Sequence, residues 1–458
     1  MSYLSYLQSK SDSGEYSGFD PIYMPKELQD FQMFLVDWSV RKGRAGLFSD
    51  CGTGKSFMEL VWAANIVRKT NGNVIICTPI AVGEQMRLEA EKFNIDDVTR
   101  SRDGKIRSKI TITNYEMLHL FDSNDFDGFV GDESSILKNF KGARKAEITI
   151  FARKIKYRLL ATATAAPNDF IELGTSSEAL GYMGYMDMLS MFFKNDQNNC
   201  ATNRRGRFTE ATKWRLKGHA HSSFWRWVTS WARAIRKPSD IGFSDNGYDL
   251  PPLIENAHKL DISRNPNPGE LFTFAANGLN EVRDERRATI RERCEFAANL
   301  VNNKQGASVS WCNLNDEGDL LTELIDGAVQ VSGKDCDEKK EDKLIAFTKG
   351  EIEKLVIKPK IGAWGLNWQH CCHTTFFPAY SYEQYYQAIR RFLRFGQVES
   401  VECDLIYTQG DNNSMTNLRR KQKQADEMFT ALVKEMNNPL NINNITSFKN
   451  KMETPKWA

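Results

Sequence analysis

The feature that most constrains this chain is a glycine-rich turn running into a lysine and a serine, Asp50-Cys51-Gly52-Thr53-Gly54-Lys55-Ser56. The glycines let backbone N–H groups close around phosphate oxygens. Lys55 neutralises their charge, and the Ser56 hydroxyl can hold a magnesium ion. Such a turn works only between a strand and a helix, and the flanking sequence offers both. Residues 44–50 read as a strand, and 56–68 as a helix with Phe57, Leu60, Val61 and Ile66 on its apolar side. Ser49 stands where the strict phosphate-loop pattern has its first glycine. Gly52, Thr53, Gly54, Lys55 and Ser56 are therefore the expected nucleotide contacts.

A phosphate loop needs a carboxylate partner at the tip of a neighbouring strand. Further strands are expected at 74–78, 110–113, 128–131 and 158–162, alternating with helical stretches. That alternation predicts a parallel sheet covered on both faces, with ligands at the carboxyl ends of its strands. Asp132-Glu133 follows the run 128–131 directly. There Asp132 can orient the magnesium while Glu133 positions or deprotonates the attacking water. The small-residue run 160–167 carries Thr162 and Thr164, whose hydroxyls could bond the catalytic carboxylate. Gln32, on a helical stretch before the loop, has an amide that both donates and accepts, as an adenine edge requires.

The second half of the chain repeats the style, with strands expected at 308–312, 328–331, 354–357, 374–377 and 401–407, and one or two charged helices within 269–302. Its most specific string is Gln387-Ala388-Ile389-Arg390-Arg391-Phe392-Leu393-Arg394-Phe395-Gly396-Gln397. Arg391 and Arg394, three apart, share a helix face. Phosphoryl transfer needs a second cation on the transferring group, and an arginine finger contributes roughly 10³–10⁵ in rate. Arg390 in the same stretch favours the plainer reading of a solvated basic helix. Loop and arginines on separate halves imply a cleft that closes around nucleotide.

Between the halves the composition shifts. Residues 201–240 hold ten lysines and arginines against Glu210 and Asp240, a local charge of +8 in a chain whose net charge is +2. Any nucleic-acid surface must come from such clustering, so Arg204, Arg205, Arg207, Lys213, Arg215 and Lys217 are expected to track a phosphate backbone. Four tryptophans (Trp214, Trp225, Trp227 and Trp231) fall in the same stretch. Phe224, Trp227 and Trp231 recur at helical spacing, which favours a core face over base stacking. Residues 181–250 read as a helical insertion and not as more sheet. The nine cysteines are odd in number and form no C-x-x-C pair, which fits free thiols in a reducing compartment better than disulfides or zinc. No apolar run approaches 18 residues, so a soluble intracellular chain is expected.

Taken together these segments resemble the superfamily-two helicases and translocases, specifically the Swi/Snf-like branch, in a compact form like those many bacteriophages encode. Gln32 is similar to the adenine-reading glutamine motif, Gly52–Ser56 to the first ATPase motif, and Asp132-Glu133-Ser134-Ser135 to the DEAH box. Cys77-Thr78-Pro79 and Thr113-Asn114-Tyr115-Glu116 resemble segments that grip a nucleic-acid strand. The resemblance therefore places Thr78, Pro79, Thr113 and Asn114 on nucleic acid. Thr162-Ala163-Thr164 resembles the motif that couples hydrolysis to movement. In the second half, Val331-Ser332-Gly333 with Phe347 and Gly350 is similar to the fourth motif. Gly362-Ala363-Trp364-Gly365-Leu366-Asn367 is similar to the fifth and implies a nucleotide contact at Gly365. Arg391 and Arg394 stand at the finger positions. Ser135 departs from the family, replacing the last residue of the DEAH box. So do the ending Ala165-Ala166-Pro167, one residue longer than usual, and the bulky Trp364.

The resemblance implies two tandem RecA-like parallel-sheet α/β lobes with the helical insertion between them and a C-terminal helix. Residues 1–20 would be a flexible arm, 21–180 the ATP-binding lobe, 181–250 the insertion, 251–411 the second lobe, and 412–458 a C-terminal helix and tail. ATP and magnesium are the expected ligands. Nucleic acid, with duplex DNA favoured, is the expected partner of a monomer that makes no use of a membrane, in a cytoplasm that would be the host's for a phage-encoded chain. The implied activity is an ATP-dependent helicase or translocase. Its rivals are an ATP-gated nucleic-acid clamp, an RNA helicase, and a viral packaging ATPase. The last wants a nuclease carboxylate cluster where this chain has arginines.

Overall fold

A computed structural model of the chain describes residues 16–80, 82–195, 214–248, 250–262, 284, 286–362, 366–378 and 381–437. Two parallel sheets organise it. The first comprises β1 (Arg44–Ser49), β2 (Val74–Thr78), β3 (Val98–Arg100), β4 (Ile110–Asn114), β5 (Gly128–Asp132), β6 (Tyr157–Ala161) and β9 (Ala232–Ile235), in the order β3-β4-β2-β5-β6-β1-β9. The second comprises β10 (Leu253–Leu260), β11 (Ser308–Trp311), β12 (Ala328–Val331), β13 (Lys354–Ile357), β14 (His373–Phe376) and β15 (Val401–Thr408), in the order β10-β15-β14-β11-β13-β12. This is the tandem RecA-like arrangement expected from the sequence. A short antiparallel pair, β7 (Phe193–Asn195) with β8 (Trp214–Leu216), flanks the stretch 196–213.

The central strands β2, β5 and β6 of the first sheet are buried on both faces, so they read as largely apolar runs. Side chains alternate across a strand. Val74 and Ile76 of β2 therefore pack with Leu35, Leu60 and Trp62 from the helices Asp30–Lys42 and Lys55–Thr70. Ile75 and Cys77 enter the opposite core, with Phe129, Phe151, Leu173 and Trp231.

The reading of 181–250 as insertion without sheet is corrected at its C-terminal end. The helix His221–Trp231 buries Phe224, Trp225, Trp227 and Trp231. The chain then enters β9, which pairs with β1 as the edge strand of the first sheet, Gly46 opposite Ala232. Ala232-Arg233-Ala234-Ile235 has weak intrinsic strand preference, and tertiary pairing overrides it. Two arginines of the basic run face protein here. Arg233 lies over the Trp38 ring at 4.4 Å, and Arg236 lies over Phe429 at 4.5 Å and bonds Asp426 at 2.8 Å.

The helix Asn412–Met436 leaves the second sheet and returns to the first lobe, where Met428, Phe429, Leu432 and Met436 join the core around Phe224 and Trp231. Phe19, within the expected flexible arm, stacks edge-on against Tyr157 at 5.5 Å, and Ser17 to Phe19 bond the backbone of Val40 to Lys42. Cys51, Cys77, Cys294, Cys312, Cys336, Cys371, Cys372 and Cys403 are free thiols. Among the described residues no helix is long and apolar enough to cross a membrane.

Candidate nucleotide site

The tips of β1, β5 and β6 bring the sequence-predicted residues together. Gly52 and Gly54 both take positive φ, +87° and +78°, so the turn after β1 is open only to glycine at those points. Gly54 passes the chain into the helix Lys55–Thr70, and Ser56 lies in that helix's first turn. Inside the turn, Thr53 donates to the Asp50 carbonyl at 2.7 Å and meets the Ser49 hydroxyl at 2.5 Å. That contact gives Ser49, at the substituted glycine position, a structural role. Gln32 donates to the Thr53 carbonyl at 2.8 Å and accepts from the Gln29 N–H at 2.9 Å. Its amide thus braces the loop from beneath and caps its own helix.

Lys55 Nζ lies 3.2 Å from Glu133 Oε1, with both side chains almost fully enclosed. Burial alone would depress the lysine, but the facing Glu133 outweighs it and pushes the ammonium above the usual range. Glu133 sits at φ 49°, ψ 49°, a left-handed conformation costly for a residue with a Cβ, by about 1–3 kcal/mol. The Asp132 carboxylate accepts the Glu133 N–H at 2.9 Å, and the Tyr115 hydroxyl donates to the Asp132 carbonyl at 2.6 Å. Burial, followed by the charge of Glu133, raises Asp132 above the ordinary carboxylate range. Thr162 donates to Glu133 Oε2 at 3.3 Å and accepts from the Thr164 N–H at 3.0 Å, so the loop after β6 touches the carboxylate directly.

The second lobe reaches this cluster. Gln387 Nε2 lies 3.5 Å from Glu133 Oε2. Arg391, almost fully buried, places Nη2 3.7 Å from the Cys51 sulfur and 3.2 Å from Gln387 Oε1, while its Nη1 donates to the Leu366 carbonyl at 3.0 Å. Arg394 donates to the same carbonyl at 3.2 Å. Burial, then the neighbouring charge of Arg391, lowers Arg394 to about 10, which leaves it charged at neutral pH. A Cβ on Gly52 would meet the Phe395 nitrogen at 3.0 Å and Arg394 Cβ at 3.3 Å, so the phosphate loop and the arginine segment are in contact.

Three participants escaped the sequence reading. Arg390 was the mark of a solvated helix, yet its Nη2 lies 2.9 Å from Asp50 Oδ2, and Tyr386 bonds the other oxygen of the same carboxylate. An acid at the start of the loop and a base in the arginine string were the available signal, but nothing in one dimension pairs them. Glu59 lies one turn beyond Lys55, fully buried, and neither carboxylate oxygen meets a hydrogen-bond donor. Burial, and then repulsion from Asp132, pushes its pKa far up. A glutamate inside the apolar run 57–61 was a readable anomaly.

The expected nucleic-acid residues divide. Thr78 and Asn114 are opposite each other in the β2–β4 pairing, beside Pro79 and Thr113, at one edge of the first lobe. The hydroxyls are spoken for: Thr78 bonds the Pro79 carbonyl and Thr113 the Ser101 carbonyl, both at 3.0 Å. Lys217 donates to the carbonyls of Ser190 and Met191 at 2.9 and 3.0 Å, ending the helix Tyr185–Phe192, and Arg215 lies exposed in β8. Arg204, Arg205, Arg207, Lys213 and Gly365 lie outside the described residues.

The two-lobed fold matches a solved structure of a single-substitution variant of S. cerevisiae Dbp5, bound to RNA and ADP BeF3, with a TM-score of 0.52. The match covers 90% of this chain and 98% of that chain at 12% sequence identity, a likeness that establishes the shared fold. No family model matches the chain. No curated protein matches it by sequence.

Proposed function

We propose that this chain is a nucleic-acid-dependent ATPase of the superfamily-two helicase and translocase type. The observation that carries the proposal is the meeting of two halves at one site. The phosphate loop and Glu133 belong to the first sheet; Gln387, Arg391 and Arg394 come from the second lobe and stand against them. Gly52 to Lys55 would bind the phosphates, and Gln32 would fix the loop that holds them. Glu133 would hold the attacking water and take its proton, oriented by Thr162 and Gln387. Arg391 and Arg394 would balance the charge that develops on the transferring group.

The buried charge fits a divalent cation. Glu59, Asp132 and Glu133 crowd one ammonium, and the Glu59 oxygens have no donor. Among the described residues no three such groups could hold a metal unaided. That matches magnesium, which binds through one or two carboxylates together with substrate phosphates. Asp132 and Ser56 would hold it, and when bound it would neutralise the phosphates. The RNA and nucleotide bound to Dbp5 agree with this class of ligand. The motif string 387–397 favours the Swi/Snf-like branch, a phage-type compact form, and duplex DNA. RNA is the second reading, favoured by the Dbp5 complex. ATP hydrolysis rates measured in parallel with single-stranded, duplex and forked DNA and with RNA would decide. A rate that none of them stimulates would refute the proposal, and single-turnover hydrolysis alone would favour the clamp.

A further inference from the structure

The edge of the first lobe where Thr78, Pro79, Thr113 and Asn114 converge has its two hydroxyls already donating to carbonyls, so cations nearby add to its reach toward a polyanion. Two are present that no motif includes. Arg100 ends β3, and Arg102 follows two residues on. The intervening Ser101 is fastened to β4, donating its N–H to the Ile112 carbonyl at 2.9 Å and accepting from Thr113 at 3.0 Å. Arg100 Nη2 donates to the Ile80 carbonyl at 3.2 Å. A Cβ on Gly83 would touch both Arg100 Nε at 3.1 Å and Thr78 Oγ1 at 3.5 Å, so the guanidinium sits beside the Thr78 hydroxyl.

Both arginines converge on a single acid from the other lobe. Glu341, in the helix Asp337–Thr348, accepts from Arg100 Nη1 and Nη2 at 3.1 and 3.2 Å and from Arg102 Nη2 at 2.9 Å, all through Oε1. Glu84 also approaches Arg100, at 3.7 Å, but is held at 2.8 Å by Arg87. Glu91 also pairs with Arg87, so Arg87, Arg100 and Arg102 stand against Glu84, Glu91 and Glu341 in balance, and withdrawal of Glu341 would leave one positive charge over. Arg102 is 45% exposed and Glu341 28%, so solvent reaches the pair.

We propose that Arg100 and Arg102 are a phosphate-binding pair for the backbone of a nucleic acid, and that Glu341 occupies it as a carboxylate stand-in from the second lobe. The planar donors of arginine accept carboxylate and phosphate oxygens with the same geometry. The Arg102 half of the contact is exposed, and an exposed ion pair is held weakly and screened by salt, while Arg100 is largely buried. A phosphodiester strand offers several phosphates and releases condensed counterions when it displaces the carboxylate. Strand binding and the Glu341 contact therefore compete. Loading nucleic acid onto the first lobe frees an interlobe tether, and closure without nucleic acid fills the site with the chain's own acid.

This inference rests on the nucleic-acid reading above, and the test separates the two. Binding of fluorescent DNA and RNA oligonucleotides of one sequence is measured by anisotropy across a salt series, without nucleotide, for wild type, Glu341→Gln and Arg102→Gln. Glu341→Gln is expected to bind about 3–10-fold tighter, with a steeper dependence on salt. Arg102→Gln is expected to bind more weakly, with a slope shallower by about one. The DNA and RNA arms show which backbone gains more. Wild type that binds neither polymer removes the functional reading, and this inference with it. Wild type that binds, while Glu341→Gln binds equally or more weakly, removes only this inference and leaves Glu341 as a plain interlobe contact. Thermal melting of each variant identifies a weakening caused by misfolding, and Arg102→Gln then decides, since an unchanged slope in a folded variant overturns the pair.

Discussion

Each lobe buries a cluster of ionisable side chains, and the two clusters are built on opposite rules. In the second lobe Asp404 is surrounded by donors. His373 lies 2.8 Å from one oxygen, while His258 at 2.8 Å and Asn256 at 3.1 Å share the other. The far nitrogen of His373 meets the Ser308 hydroxyl at 3.1 Å. Burial works against ionising Asp404, yet these bonds outweigh it and hold the group well below the ordinary carboxylate range. In the first lobe the carboxylates of Glu59, Asp132 and Glu133 lean on one lysine. Glu59 meets no donor and can bond Asp132 only by keeping its own proton, and Glu133 is held in a strained backbone. Acids buried side by side are costly to ionise together. The satisfied cluster is what packing alone would leave behind. The crowded one, with three acids on one lysine, is the arrangement that a cationic ligand would relieve, as the proposed function requires.

Substitutions can break this contrast. Lys55→Ala should have the largest effect, abolishing nucleotide binding in a direct titration, because it removes the ammonium that faces Glu133; retained affinity would move the phosphate site elsewhere. Next, Arg391→Ala or Arg394→Ala should leave ATP affinity nearly intact and lower kcat by roughly 10³–10⁵. A loss confined to KM would make them binding residues only. Glu133→Gln should bind nucleotide and slow turnover by about 10²–10⁴. Normal rates in that variant would hand the water-positioning role to another group.

The second lobe should answer in stability and not in chemistry. Asp404→Asn is expected to cost about 2–4 kcal/mol, from charge-assisted bonds worth about 1.5–3 each, with kcat per folded molecule unchanged. Because the folded pKa is depressed, the stabilisation is present above the unfolded carboxylate pKa and is lost as pH falls through the folded value. The wild type should therefore gain stability over Asp404→Asn as pH rises through the acid range, in melts followed by circular dichroism.

Glu59 has the opposite sign and the smallest effect. Its folded pKa is raised, so stability declines as pH climbs from the unfolded carboxylate value toward the folded one. In nucleotide-free melts Glu59→Gln should flatten that decline by an amount set by this one group. If the decline persists unaltered, Glu59 is not the source of the imbalance.

Much of this site was legible in one dimension because the chemistry demands fixed local strings. A glycine turn into lysine and serine, an acidic pair after an apolar run, and threonines after the next strand are each set by neighbours in sequence. Strand positions were equally readable: 74–78 and 354–357 coincide with β2 and β13, since strands buried on both faces leave apolar runs, and 328–331 coincides with β12, a half-exposed edge strand. What stayed hidden depended on distant partners. β9 is a strand because β1 needs an edge neighbour. Glu341 reads as one charge among many on a polar helix until the other lobe brings Arg100 and Arg102 to it.

Arg390 draws the line between the two sources most sharply. The sequence determined that this chain carries a glycine turn into Lys55, an acidic pair and an arginine string on two parallel sheets, because each is written in contiguous residues. Only the tertiary structure decided that Arg390 pairs with Asp50 while Arg391 stands at Cys51, and that Glu59 is left without a donor. Those outcomes depend on how two lobes approach each other and on which buried charges find partners there, and no local pattern encodes a distance between residues hundreds of positions apart.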